Sequence, residues 1–123
     1  MPAKTVQEFH QLFPEHMRNG DIDAVLELYE PGAAFANQQG EVKVGLEALR
    51  QELAPLASMR ANFKFNLRKI VLAGDIALVH NEWKTTSGQE MSGHAVEVFR
   101  RQADGTWRLV IGDSFTIRIQ SGP

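Results

Sequence analysis

DIALVHNEWKTTSGQEMSGHAVEVFRRQADGTWRLVIGDSF, residues Asp75 to Phe115, decides the fold class of this 123-residue chain. Three strand-length runs follow one another here: IALVHNEWKTT after Gly74-Asp75, MSGHAVEVFRRQ after Ser87-Gly88, and TWRLVIGDSFTIRI after Asp104-Gly105. Apolar and polar residues alternate along much of each run, the period-two pattern of a sheet with one buried face. That phase also places acids among core positions. Glu97 shares it with Ala95 and Phe99, and Asp113 shares it with Leu109, Ile111 and Phe115. A carboxylate on a buried face is costly unless it is paired, protonated or solvated. The pattern therefore implies a polar group set into a pocket.

Upstream, Thr5 and Glu8 form a capping-box pair ahead of a helix with Val6, Phe9, Leu12 and Phe13 on one face. Pro14 predicts a kink or restart, and Asn19-Gly20 an end. Asp21 caps a second helix, with Ile22, Val25, Leu26 and Leu28-Tyr29 as its stripe and Pro31-Gly32 as its stop. AAFAN and EVKV read as short strands around the Gln38-Gln39-Gly40 turn. A third helix follows from Leu46 to about Leu53, closed by Pro55. From Met59 to Ala73 the chain alternates again, but Ile70 and Leu72 fall out of phase with Phe63, Phe65 and Leu67. A bulge near Arg68-Lys69 would absorb that slip. Three helices with two small strands, then four long antiparallel strands, make an α+β class with helices on one face of the sheet.

Composition narrows the function. Hydrophobic residues make up 43% and charged residues 23%, as in ordinary soluble domains. The net charge of −2 is spread along the chain, so no basic face invites nucleic acid. Cysteine is absent, which removes disulfides, thiolate metal sites and cysteine nucleophiles. No run has the length or apolarity of a signal peptide or a membrane span, so the expected location is cytoplasmic, with no membrane partner. One domain, residues 1–123, is expected.

Several short motifs, taken in order, resemble the nuclear-transport-factor-like superfamily, which includes ketosteroid isomerases and SnoaL-like cyclases. They are Gly20-Asp21, LELYEPGAAF, the Gly45 to Arg50 segment, GDIALVHNEW and RRQADGTWR. The resemblance spans nearly the whole chain and is greatest to a small single-domain branch whose members largely lack an assigned reaction. It implies a cone-shaped fold, a curved antiparallel sheet wrapped around three N-terminal helices. Carried over by position, the isomerase's base aspartate falls on Asn37, its oxyanion-hole tyrosine near Phe13, and its protonated aspartate on Glu97. An amide does not abstract protons at neutral pH and Phe13 has no donor, so steroid-type isomerisation through these positions is not expected.

The candidate catalytic residues are Glu97, Asp113 and His80. Two nearby carboxylates split into an acid and a base, and a histidine carries protons near neutrality. Each has a plainer alternative. Glu97 can pair with Arg100, Arg101 or Arg108, a bulge at Gly112 would turn Asp113 to solvent, and His80 can be a satisfied core residue beside Ile76 and Leu78. Asn37, Phe13, Phe63 and Trp83 are the candidate ligand contacts, although Asn37 also suits a turn and Trp83 core or interface packing. His10 and His16 read as surface residues, and no histidine spacing suggests a metal site. The expected function is a cofactor-free small-molecule pocket performing acid–base chemistry, of isomerase, dehydratase, cyclase or hydrolase type. The alternative is a non-catalytic binding or interaction module. A homodimer is expected through an outer sheet face carrying Val79, Val96, Val98 and Val110.

Overall fold

The structure, a computed structural model, describes residues 2–86 and 90–115. The Ser87-Gly88 turn and the expected strand beyond Phe115 lie outside that range. In chain order the elements are α1 (Val6–Arg18), α2 (Ile22–Leu26), β1 (Tyr29–Ala36), β2 (Val42–Val44), α3 (Leu46–Ser58), β3 (Phe63–Ala73), β4 (Ile76–Thr85), β5 (Ser92–Arg101) and β6 (Trp107–Asp113). The six strands form one sheet in the order β2-β1-β6-β5-β4-β3. This is the expected α+β class, with a curved sheet and N-terminal helices. The sheet is mixed, because β1 pairs with β6 in parallel while every other pair is antiparallel.

Local chemistry explains the helix limits. Thr5 Oγ1 accepts from the Glu8 amide at 3.0 Å, and the Glu8 carboxylate accepts from the Lys4 amide, so two otherwise unpaired donors are satisfied. α1 runs unbroken through Pro14, against the expected restart. Pro14 is buried on the core side of the helix, and its packing offsets the hydrogen bond it removes from the His10 carbonyl. α2 is shorter than its apolar stripe suggested, ending at Leu26 and leaving Leu28 and Tyr29 to a strand. α3 continues past Pro55 to Ser58.

The inner sheet face carries Phe63, Phe65 and Leu67 of β3, Ala77, Val79, Asn81 and Trp83 of β4, Ala95, Glu97 and Phe99 of β5, and Leu109 of β6. Phe9 and Met17 of α1, with Val25 and Leu28, complete the buried core against that face. Two bulges set the phase. Between Leu67 and Lys69 the β3 register slips by one residue, as the sequence pattern requires. A second slip, at Val110, pairs Leu109 with Phe99 but Ile111 with Val98. Leu109 therefore points inward at 3% exposure while Ile111 faces outward at 49%. Val79 is fully buried on the inner face, which corrects its expected place on the outer one.

Candidate functional site

Between the inner sheet face and helices α1 and α3 lies a cavity of about 110 Å³. Phe9 and Phe13 project into it from α1, Leu49, Leu53 and Leu56 from α3, and Phe63, Phe65 and Trp83 from the sheet. Glu52, the one exposed residue among the described lining, marks its rim. Ser114 and Phe115 cover it from the segment after β6. Trp83 donates its indole N–H to the Ser114 carbonyl at 2.8 Å, and the Phe115 ring meets Trp83 edge-on at 5.5 Å. Gly93 makes that bridge fit, since a Cβ there would lie 2.7 Å from the Ser114 oxygen.

Glu97 enters this apolar space from β5 and is buried. His10 Nε2 lies 2.7 Å from its Oε1, and the Asn81 side-chain amide donates to the same oxygen at 2.9 Å. The other histidine nitrogen, Nδ1, is 2.8 Å from the Val6 carbonyl. A carbonyl only accepts, so Nδ1 carries a hydrogen and Nε2 is the nitrogen presented to Glu97. At 2.7 Å two lone pairs would repel, so a proton lies between Nε2 and Oε1. Whether written as imidazolium–carboxylate or imidazole–carboxylic acid, the pair is neutral overall. Glu97 Oε2 makes no hydrogen bond to the described residues. One oxygen is anchored, and the other is free for a ligand.

Tyr29, at the start of β1, also lines the cavity. Burial, reinforced by the charge of Glu97, pushes its phenol far above the ordinary value of 10. The hydroxyl therefore stays protonated and is a donor. No lysine, arginine or histidine among the described residues belongs to the lining. Among the described residues no group of three His, Cys, Asp or Glu side chains could hold a metal ion.

Of the residues expected from sequence, Glu97, Phe13, Phe63 and Trp83 meet in this cavity. His80, Asp113 and Asn37 do not. His80 lies on the outer sheet face, its ring 6.4 Å from that of His94, and Glu82 shares that face. The bulge that turns Ile111 outward does the same to Asp113, which pairs across from Val96 and accepts from the Phe115 amide. The shift comes at Val110, two residues before Gly112. Asn37 is buried, but its amide organises the β1–β2 turn through Gln39 and Glu41. His10 corrects the expected surface position, being 8% exposed. His16 is half-buried. His10, Asn81 and Tyr29 were not anticipated. The signal for His10 was its place beside Phe9 in the run 6, 9, 10, 13, 17, a full-width helical stripe. For Asn81 it was the phase shared with Val79 and Trp83.

A family profile, the SnoaL-like domain, matches residues 9–110. No curated protein matches the chain. Similar solved structures include a protein of unknown function from Mycobacterium tuberculosis, Rv3472, at 21% identity and a TM-score of 0.77, covering 88% of this chain and 71% of that one. An NTF2-like family protein from Streptomyces avermitilis, named a candidate dehydratase, shows 22% identity and a TM-score of 0.68 over 88% of this chain and 90% of its own. A Nostoc punctiforme protein with a cystatin-like fold shows 16% identity and a TM-score of 0.68, covering 88% and 85%. At these identities the likeness is one of fold.

Proposed function

This chain belongs to the SnoaL-like domain family, and we propose that it transfers protons to or from a small organic ligand in the cavity, without a cofactor. The observation that carries this reading is the half-anchored carboxyl of Glu97. Oε1 is held by His10 and Asn81 while Oε2 makes no hydrogen bond to the described residues in a mainly apolar, aromatic space. A general acid or base needs that combination of a fixed position, a nearby proton and one unoccupied oxygen. Tyr29 adds a neutral donor that can hold a carbonyl or hydroxyl oxygen of the ligand. The family relationship supports the class, since the fold includes isomerases and dehydratases, but the chemistry rests on the site. The alternative, ligand binding without turnover, uses the same cavity and differs only in what Glu97 does.

The test begins with native mass spectrometry of freshly purified protein, then denaturing release and identification of what is bound. Incubated in D2O with the protein, the released compound gains deuterium at a carbon next to its polar group. With Glu97→Gln it does not. Equal exchange with both proteins removes Glu97 from the reaction and favours the binding module.

We also propose a homodimer through the outer sheet face. The support is a patch in which Ile76, Leu78 and Ile111 are exposed and Val96 and Val98 half-buried. The patch retains Val96 and Val98 of the expected surface and has Ile76, Leu78 and Ile111 in place of Val79, which faces inward.

A further inference from the structure

The chemistry of the cavity wall restricts what can enter it. We infer that the ligand is a neutral, single-ring molecule of about eight non-hydrogen atoms bearing one oxygen, and that charged molecules of the same shape are rejected. This rests on the cavity being the working site, as proposed above.

Size comes first. An engineered apolar cavity of about 150 Å³ holds benzene, and this one measures about 110 Å³ with an open rim at Glu52. The enclosed space therefore takes at most one ring, and a ligand of about eight non-hydrogen atoms with its oxygen at the floor has its far edge at the open rim. The wall is mainly aromatic and aliphatic, so the ring is held by packing.

Charge comes second. Among the described residues the lining contains two carboxyls, Glu97 and Glu52, and no cationic side chain. An anion would lose its water and gain no counter-charge. A cation would need a buried carboxylate free to receive it, but Glu52 is exposed at the rim, where water screens its charge, and Glu97 already shares its proton with His10 at 2.7 Å. Their neutral pair leaves no net charge at the cavity floor for a cation to balance. Facing the ligand at Glu97's depth are one donor, the Tyr29 hydroxyl, and one carboxyl oxygen, Glu97 Oε2, while the Ser114 hydroxyl lies in the cover. A ligand hydroxyl, which both accepts and donates, suits the Tyr29 phenol as donor and Oε2 as acceptor.

Three probes separate the possibilities: benzyl alcohol, benzylamine as its cation, and benzoate. They share a ring and differ in charge. Binding is followed through the methyl resonances of Leu49 and Ala95, which border the cavity. Benzyl alcohol is expected to shift these with a dissociation constant on the order of 1 mM, and the two ions to bind at least about tenfold more weakly. Tyr29→Phe should weaken benzyl alcohol by roughly tenfold. Ala95→Leu, which fills the cavity, should abolish its binding. Ala36→Leu, on another part of the wall, serves the same purpose if that variant does not fold.

Equal or tighter binding of either ion overturns the inference. So does the absence of any shift with benzyl alcohol, or binding that persists in a folded, filled variant. Charge selection is read from binding alone. Selection that persists in a protein without deuterium exchange leaves this inference standing and sinks the catalytic one. Exchange without selection does the reverse.

Discussion

His10 and Glu97 are 87 residues apart in sequence, yet Nε2 of one stands 2.7 Å from Oε1 of the other, both side chains buried. The contact joins the first helix to the inner face of β5 and places the only buried acid of the described residues against its proton partner.

Removing one member takes from the other the partner that shares its proton, leaving Glu97 only the Asn81 amide or His10 only the Val6 carbonyl. His10→Leu is expected to lower unfolding free energy by about 3–5 kcal/mol, measured by urea denaturation at pH 7. His10→Leu combined with Glu97→Leu should lose less than the sum of the two single changes, because no unpaired group remains. Strictly additive losses would show that the two side chains do not act as a unit.

Tyr29 is the only tyrosine in the chain, so absorbance near 295 nm reports it alone. Its folded value is raised above the unfolded 10, so its contribution to stability is complete below pH 10 and falls as pH rises past that point. Phenolate absorbance should appear only together with alkaline unfolding. A clean titration near pH 10 in the folded protein would contradict the buried placement.

Acid stability should depend on Glu30. Burial opposes its ionisation, but hydrogen bonds from Gln102 and Arg100, with the charges of Arg100 and Arg108, hold its carboxyl below the ordinary 4.5. Stability from this group is therefore present above pH 4.5 and is lost as pH falls further, because the unfolded chain takes up the proton first. In Glu30→Gln the loss of melting temperature below pH 4.5 should be shallower than in the parent protein. An unchanged slope would mean other carboxylates set the acid limit.

Gly93→Ala tests the bridge over the cavity. The added Cβ would meet the Ser114 oxygen at 2.7 Å and Trp83 Nε1 at 3.0 Å, so the indole hydrogen bond has to lengthen or break. A cost of about 1–3 kcal/mol is expected, with a change in tryptophan emission as Trp83 loses its partner. Unchanged emission and stability would show that the segment moves aside freely.

The outer face makes the last prediction. Leu78 is 40% exposed on the strand next to β5, within the proposed dimer surface. Leu78→Glu should convert a dimer to a monomer by light scattering while leaving the circular dichroism spectrum unchanged. A parent protein that is monomeric at the same concentration would remove this surface as the interface.

The strands, the helix caps and the β3 bulge were legible because each follows from near neighbours in sequence. Alternation fixes a strand, Thr5 and Glu8 fix a helix start, and a phase slip at Arg68-Lys69 demands an extra residue. The same local information placed Glu97 correctly on the inner face, since nothing interrupts β5. It failed at Asp113 because the Val110 bulge has no counterpart in the apolar pattern: Leu109 and Ile111 are both apolar, one buried and one exposed. It failed at β4 because both faces there carry apolar residues, so alternation does not say whether Val79 or Leu78 faces the core.

Composition and periodicity thus determined the class of fold, the absence of thiol chemistry and the burial of one acid. Only the tertiary structure decided what that acid touches. His10 and Asn81 come from a helix and a strand that are distant in sequence, and their meeting at Glu97, like the entry of Tyr29 into the same cavity, depends on how α1 packs across the sheet. Hydrogen bonds of that kind are set by three-dimensional packing, and no short-range pattern in the chain encodes them.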